Sequence, residues 1–156
     1  MPKFTAKSYA ALVKENILIS GFHVTYIMEN KTPSFCYSTG IYKSYGIPEI
    51  FISSLPQGLS SSLITSYVDS FKNKSPTINE LIPANNLAPF DYYLILVKKK
   101  RLEDYVLASI KYYGAEPYDY FQLVFPDINM KFPHQEGYSY DQEIIGDYSP
   151  IDTNRQ

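Results

Sequence analysis

The sequence predicts a single α+β domain in which about three helices pack on a mixed β-sheet of about five strands. The chain has 156 residues, a hydrophobic content of 45% and a net charge of −2, which is typical of one globular domain. Short β-branched and aromatic runs alternate with amphipathic stretches. Some runs are joined by a tight turn and others by a helix, so antiparallel and parallel pairing are both expected.

The first half of the chain predicts a helix followed by three strands. One helical face across residues 5–20 carries apolar side chains: Tyr9, Leu12, Val13 and Ile17. Gly21 is placed to end this helix in the left-handed conformation. Residues 22–28, 34–39 and 48–55 are rich in β-branched and aromatic residues, which predicts strands. The intervening segment 40–46 is predicted to be a loop between two glycines.

The first two strands are expected to form a hairpin. A turn at Asn30–Lys31 would place Tyr26 opposite Cys36 and His23 roughly opposite Thr39.

The second half continues with a helix, a strand, a helix and a strand. A helix starting near Pro56 and ending near residue 74 has an apolar residue at every fourth position: Leu59, Leu63, Tyr67 and Phe71. Residues 75–90 form a long irregular connection with one short strand near 78–82. A strand at 92–98, a helix at 101–113 and a strand at 118–125 follow. The predicted order is α-β-β-β-α-β-α-β.

The domain is expected to span residues 1–156, with its core at about 5–146 and a tail at 147–156 that frays. One cysteine leaves no internal disulfide and fits a reducing compartment. The N-terminus lacks a long apolar signal region, and no stretch could cross a membrane, so the cytoplasm is predicted. The nearly neutral charge predicts no general attraction to nucleic acid or membrane.

Several short motifs in order resemble the signature of an uncharacterised bacterial family, catalogued as domain of unknown function 4262. The motifs are Gly21-Phe22, FCYSTG at 35–40, Pro48-Glu49, QLVFPD at 122–127 and KFPH at 131–134. The resemblance covers about residues 21–146 and implies a shared architecture. It implies no established activity. His134 stands where the family more usually has tryptophan.

A glycine and three tyrosines form the most distinctive candidate binding site: Tyr37, Gly40, Tyr42 and Tyr45. Glycine permits close approach to the backbone, and tyrosine rings offer flat amphipathic walls. A pocket here would adjoin Glu49 and the segment that ends at His134. The same residues could equally form a turn whose tyrosines pack on the sheet.

Two acidic residues follow prolines beside apolar strands. Glu49 and Asp127 could act as general bases with a raised pKa. They could also accept hydrogen bonds from backbone amides at a strand end or turn, which is the favoured interpretation.

Cysteine and histidine offer weaker candidates for chemistry. Cys36 and His23 are predicted to lie out of register in the hairpin, so a buried cysteine is favoured over a nucleophile pair. His23, Cys36 and His134 lack the paired spacing of a zinc site, so no metal is predicted.

The leading functional hypothesis is a small bacterial protein-binding domain without catalytic residues or cofactor. Its partner would be another protein, for example a cognate toxin that it neutralises as an immunity protein. The alternative is a domain or enzyme that binds a flavin-like or other aromatic molecule in a pocket near Tyr37, Gly40 and Glu49. The oligomeric state and the identity of partner or ligand are left open by the sequence.

Overall fold

A five-stranded mixed sheet organises the protein. The computed structural model describes residues 6–29 and 32–152. The strands run in the spatial order β1-β2-β3-β5-β4: β1 (His23–Glu29), β2 (Thr32–Thr39), β3 (Glu49–Ser53), β4 (Tyr93–Val97) and β5 (Tyr120–Val124). The helices are α1 (Ala6–Ser20), α2 (Ile41–Tyr45), α3 (Gln57–Phe71), α4 (Lys99–Leu102) and α5 (Leu107–Tyr113). The predicted α+β class with a mixed sheet is confirmed.

The hairpin of β1 and β2 has the predicted register. Tyr26 pairs with Cys36, and His23 pairs with Thr39. The turn residues lie outside the described part of the chain. Because side chains alternate along a strand, this register sends Cys36 to one face of the sheet and His23 to the other. Cys36 is fully buried, as predicted.

The centre of the sheet is a parallel pair. Strand β3 pairs in parallel with β5, and β4 pairs antiparallel with the other side of β5. The outer edge of β4 is covered by main-chain hydrogen bonds from Asn79 N–H to the Leu94 carbonyl (2.8 Å) and from Asp147 N–H to the Leu96 carbonyl (2.8 Å). Covered edges of this kind prevent strand pairing with other chains.

The two faces of the sheet carry different elements. Helix α3 packs on one face, where Leu63 and Tyr67 join Ile50 in the largest core cluster. Helices α4 and α5 pack on the other face around Phe51 and Tyr120. Helix α1 contacts both β1 and α5. The predicted apolar stripe of α3 is therefore its buried face.

The segment after β5 covers the remaining part of the face that α5 occupies. Ile145 and Phe132 are buried there, and Tyr148 and Ile151 pack against the cluster around Tyr93. The Gln122 side chain of β5 binds the backbone of this segment. It donates to the Glu143 carbonyl (2.8 Å) and accepts from Ile145 N–H (2.9 Å) and Gly146 N–H (3.0 Å). This segment has no regular secondary structure yet belongs to the core.

Three local predictions were wrong. Segment 41–45 is the short helix α2 and not a loop. The predicted helix 101–113 is interrupted, because Val106 adopts φ −101° and ψ 52°, and buried tertiary contacts override helical propensity here. Segment 78–82 forms only one bridge, Ile82 with Tyr92, because Asn79 has a φ of 60°.

Gly40 is required by two independent constraints. Its φ is 103°, in the left-handed region, and a Cβ atom there would lie 2.6 Å from Ile17 Cγ1. The glycine therefore allows α1 to pack against the start of α2.

We expect Gly40→Ala to lower the free energy of unfolding by about 2 kcal/mol or more, since backbone strain and steric overlap add. Gly58→Ala is the matched control: Gly58 lies in α3 with no atom near its Cβ position, so this helical substitution should hold or raise stability. Urea denaturation measures both. Equal stability of the two variants would contradict the assigned role of Gly40.

Candidate functional site

The carboxyl group of Glu49 is the most completely hydrogen-bonded acid in the described structure. Glu49 begins β3 and has 0% solvent exposure. It accepts hydrogen bonds from three backbone amides and two hydroxyls: Gly40 N–H (2.9 Å), Ile41 N–H (3.1 Å), Tyr42 N–H (3.0 Å), Ser38 Oγ (2.7 Å) and the Tyr113 hydroxyl. The amides are those that open α2, which have no partner within the helix.

The direction of these hydrogen bonds is determined by their neighbours. Ile50 N–H donates to Ser38 Oγ (2.9 Å), and Lys43 N–H donates to the Tyr113 hydroxyl (3.2 Å). Both hydroxyl protons are thus free to point at Glu49. Burial raises the pKa of Glu49, and the hydrogen bonds from Tyr113 and Ser38 oppose that rise. A site made only of donors suits the ionised carboxylate, which only accepts.

Asp127 performs a similar task in the loop after β5. Its carboxylate accepts from Asn129 N–H (2.9 Å), Lys131 N–H (3.0 Å) and Ser139 N–H (3.0 Å), and from the Ser139 hydroxyl (3.1 Å). Burial raises the pKa of Asp127, but these hydrogen bonds outweigh it and hold the pKa below its usual value. Both acids therefore cap backbone amides, as the favoured interpretation predicts.

The predicted tyrosine pocket is divided between different regions. Tyr42 packs with the α5-side cluster, whereas Tyr45 packs with the α3-side cluster. Gly40 is buried beneath Ile17. His134 lies farther along the chain, where its Nδ1 is 2.7 Å from the Tyr148 hydroxyl. Binding roles for these residues stay predictions, since the structure does not bring them together around one cavity.

A concave groove of about 550 Å³ opens where α1 and α5 meet the β1–β2 hairpin. We call it the aromatic groove. Its lining residues are Tyr9, Ala10, Val13, Lys14, Thr25, Tyr26, Ile27, Phe35, Tyr37, Asp104, Tyr105, Leu107, Ala108, Lys111 and Tyr112. Tyr37 is the predicted site residue that lines it. Asp127 instead lines a smaller cleft of about 280 Å³ near Phe90 and Met130.

The walls of the aromatic groove are held by ring packing and hydrogen bonds. Phe35 packs edge-to-face against Tyr105 at a centroid distance of 5.3 Å. The Tyr105 hydroxyl donates to the Glu143 carboxylate (2.8 Å). Tyr37 is 2% exposed and accepts a hydrogen bond from Ala108 N–H (3.0 Å). These fixed contacts make the groove a preformed feature of the domain.

Polar side chains connect α1 with this groove. Tyr9 Oη lies 2.8 Å from His23 Nε2 and 2.8 Å from Thr25 Oγ1. Asn16 Nδ2 lies 2.9 Å from His23 Nδ1. Burial lowers the pKa of His23, which favours the neutral ring. Thr25 is the cross-strand neighbour of Tyr37.

Sequence reasoning missed Tyr9, Tyr105 and Lys111 as lining residues. They are among 16 tyrosines and 14 lysine and arginine residues, and only their tertiary placement around the groove distinguishes them. The helical spacing of Tyr9 and Val13 on one face of α1 was the available signal, but it equally describes ordinary core packing.

Neither a metal cluster nor a membrane span is found in the described part of the chain. No three His, Cys, Asp or Glu side chains come together there to hold a metal ion. None of the helices formed by residues 6–29 and 32–152 has the length and apolar character needed to cross a bilayer.

The fold and groove define an α+β domain with an open, aromatic-lined cavity on one face of its sheet. Residues 16–139 match the family model described as Domain of unknown function (DUF4262). The chain belongs to this family. Comparison with curated proteins and with solved structures found no significant match.

We expect Glu49→Gln to destabilise the fold by about 3 kcal/mol or more, because each unsatisfied buried donor costs roughly 1–3 kcal/mol. Either orientation of the amide sets its NH2 group against a backbone N–H, that of Ile41 or that of Gly40. Glu116→Gln, at an exposed ion pair with Lys43, is the control and should change little. Chemical denaturation of both variants is the measurement; near-equal stabilities would contradict the capping role.

Cys36 should be unreactive in the folded protein. Burial raises the pKa of its thiol to about 12, so almost no thiolate exists at mildly alkaline pH. We expect negligible reaction with Ellman's reagent under native conditions and one equivalent in denaturing guanidinium chloride. Rapid native labelling would show that Cys36 is accessible.

Proposed function

We propose that this protein binds a small, flat organic molecule in the aromatic groove. The observation that carries the proposal is the groove itself: a cavity of about 550 Å³ lined by tyrosine, phenylalanine and aliphatic side chains. Small-molecule sites are usually concave, largely apolar and about 300–1,000 Å³ in volume.

The composition of the walls supports a planar ligand. Phe35, Tyr37 and Tyr105 present rings that pack on one another within the wall, and aromatic rings favour stacked or edge-on contact with a flat partner. Leu107 lines the groove while 63% exposed. An occupant would remove this leucine from water, which favours binding.

This proposal develops the alternative interpretation of the sequence and places the ligand away from Glu49. The buried carboxylate is occupied by its own backbone amides, whereas Tyr37 lies at the groove. The protein partner, including a cognate toxin, stays a prediction. Native mass spectrometry of gently purified protein would distinguish a bound small molecule from a second polypeptide.

Filling the groove tests the proposal. Ala10 of α1 lines the groove, so Ala10→Phe should occupy its volume and weaken binding of the neutral dye Nile red by about ten-fold or more, the loss expected for roughly 1.4 kcal/mol. Ala115→Phe is the matched control, because Ala115 is exposed and does not line the groove. Fluorescence titration provides both dissociation constants.

The control variant should bind the dye as the unmodified protein does. Equal affinity of Ala10→Phe and Ala115→Phe, with circular dichroism showing both folded, would contradict the groove as the binding site. Absence of dye binding by the unmodified protein would contradict the proposed function directly.

A further inference from the structure

A chain of hydrogen bonds beside the aromatic groove begins at Asn16. The Asn16 side-chain amide donates to Nδ1 of His23 at 2.9 Å. A neutral imidazole carries one proton, so this contact leaves the ring proton on Nε2. His23 Nε2–H then donates to the Tyr9 hydroxyl at 2.8 Å.

The chain continues into the hairpin. The Tyr9 hydroxyl also shares a hydrogen bond with Thr25 Oγ1, 2.8 Å away. Hydrogen bonds joined in this way polarise one another. Thr25 is the cross-strand neighbour of Tyr37. Burial raises the pKa of the Tyr37 hydroxyl, and its interactions with Ala108 and Thr25 oppose that rise.

Tyr37 lies beside this chain, on the wall of the aromatic groove. Its hydroxyl oxygen accepts from Ala108 N–H (3.0 Å). Among residues 6–29 and 32–152, no hydrogen bond donated by the Tyr37 hydroxyl is found, although the residue is only 2% exposed. Burying a donor without a partner costs free energy. The unpaired donor lies on the lining of the aromatic groove, where a ligand oxygen could accept from it.

The charges of the groove complete the pattern. Lys14 on α1 and Lys111 on α5 both line it, and within the described part of the chain neither forms an ion pair. Asp104 is the one acidic residue of the lining. Two unpaired lysines against one aspartate favour an anionic ligand, and hydrogen bonds from charged groups to carboxylates are the stronger kind.

We infer that the aromatic groove selects aromatic carboxylates: the ring system packs against Phe35 and Tyr105, and the carboxylate accepts a hydrogen bond from Tyr37 in the field of Lys14 and Lys111. This inference rests on the proposed function and adds the chemical class of the ligand. Asn16, His23, Tyr9 and Thr25 are hydrogen-bonded to one another and fix the polar wall beside Tyr37.

Isothermal titration calorimetry with two matched probes tests the selection. Naphthoate and naphthalenemethanol share one ring system and differ in the carboxylate. We expect the unmodified protein to bind naphthoate at least about ten-fold more tightly, since hydrogen bonds to a charged group are stronger than those between neutral groups. Equal affinity for both probes would overturn the inference and leave the proposed function standing. Failure to bind either probe would overturn both.

Variants assign the preference to its residues. Tyr37→Phe should remove most of the preference for naphthoate while retaining naphthalenemethanol binding. Tyr42→Phe is the control, because Tyr42 lies outside the groove lining, and it should keep the preference. If Tyr37→Phe does not fold, a second variant takes its place. The double variant Lys14→Gln, Lys111→Gln changes two exposed side chains; it should lose the preference for naphthoate and keep the binding of naphthalenemethanol. A preference unchanged in the folded variants would overturn the inference.

Discussion

The fold depends on the buried carboxylate of Glu49, both of whose oxygens accept hydrogen bonds from the protein. Glu49 binds the opening amides of α2, the hydroxyl of Ser38 on β2 and the hydroxyl of Tyr113 on α5. Four elements therefore meet at a single side chain. An ionised group without water is costly unless its partners are in place, so the geometry of α2, β2 and α5 is coupled through it.

That coupling explains how an otherwise marginal helix persists. Five residues are far too few for an isolated helix to form. Here the anion of Glu49 binds the N–H groups at its start, and Gly40 and Gly46 adopt left-handed conformations at its ends. Tyr113, held against Glu49, also stacks on Tyr118 at 4.7 Å. Helix α5 supplies Tyr113 and also forms one wall of the aromatic groove. The position of this helix therefore determines both the Glu49 site and the groove.

Local patterns predicted the features that local forces determine. The register of the β1–β2 hairpin followed from the position of its turn, and the buried stripe of α3 followed from its spacing. Helix α2 was not predicted because its stability comes from hydrogen bonds to Glu49, which lies outside the helix itself. The groove was not predicted because it exists only where α1 meets α5. These helices are far apart in the chain, and no periodicity of the sequence reports a contact of such long range. Tyr37 was selected for its neighbourhood of glycine and tyrosine, whereas its hydrogen-bond partners depend on tertiary packing.

The order of strands has a consequence for how the chain reaches this state. Strand β5 follows β4 in sequence yet lies between β3 and β4, so this interior position of the sheet is filled only after every other strand has been synthesised. The hydrogen bond of Glu49 with Tyr113, 64 residues later in the chain, also cannot form until Tyr113 has been synthesised. Contacts of such long range carry a large loop-closure entropy and slow the folding of a domain. During synthesis the hairpin and α3 can assemble early, but the sheet becomes continuous in a single late step of strand insertion.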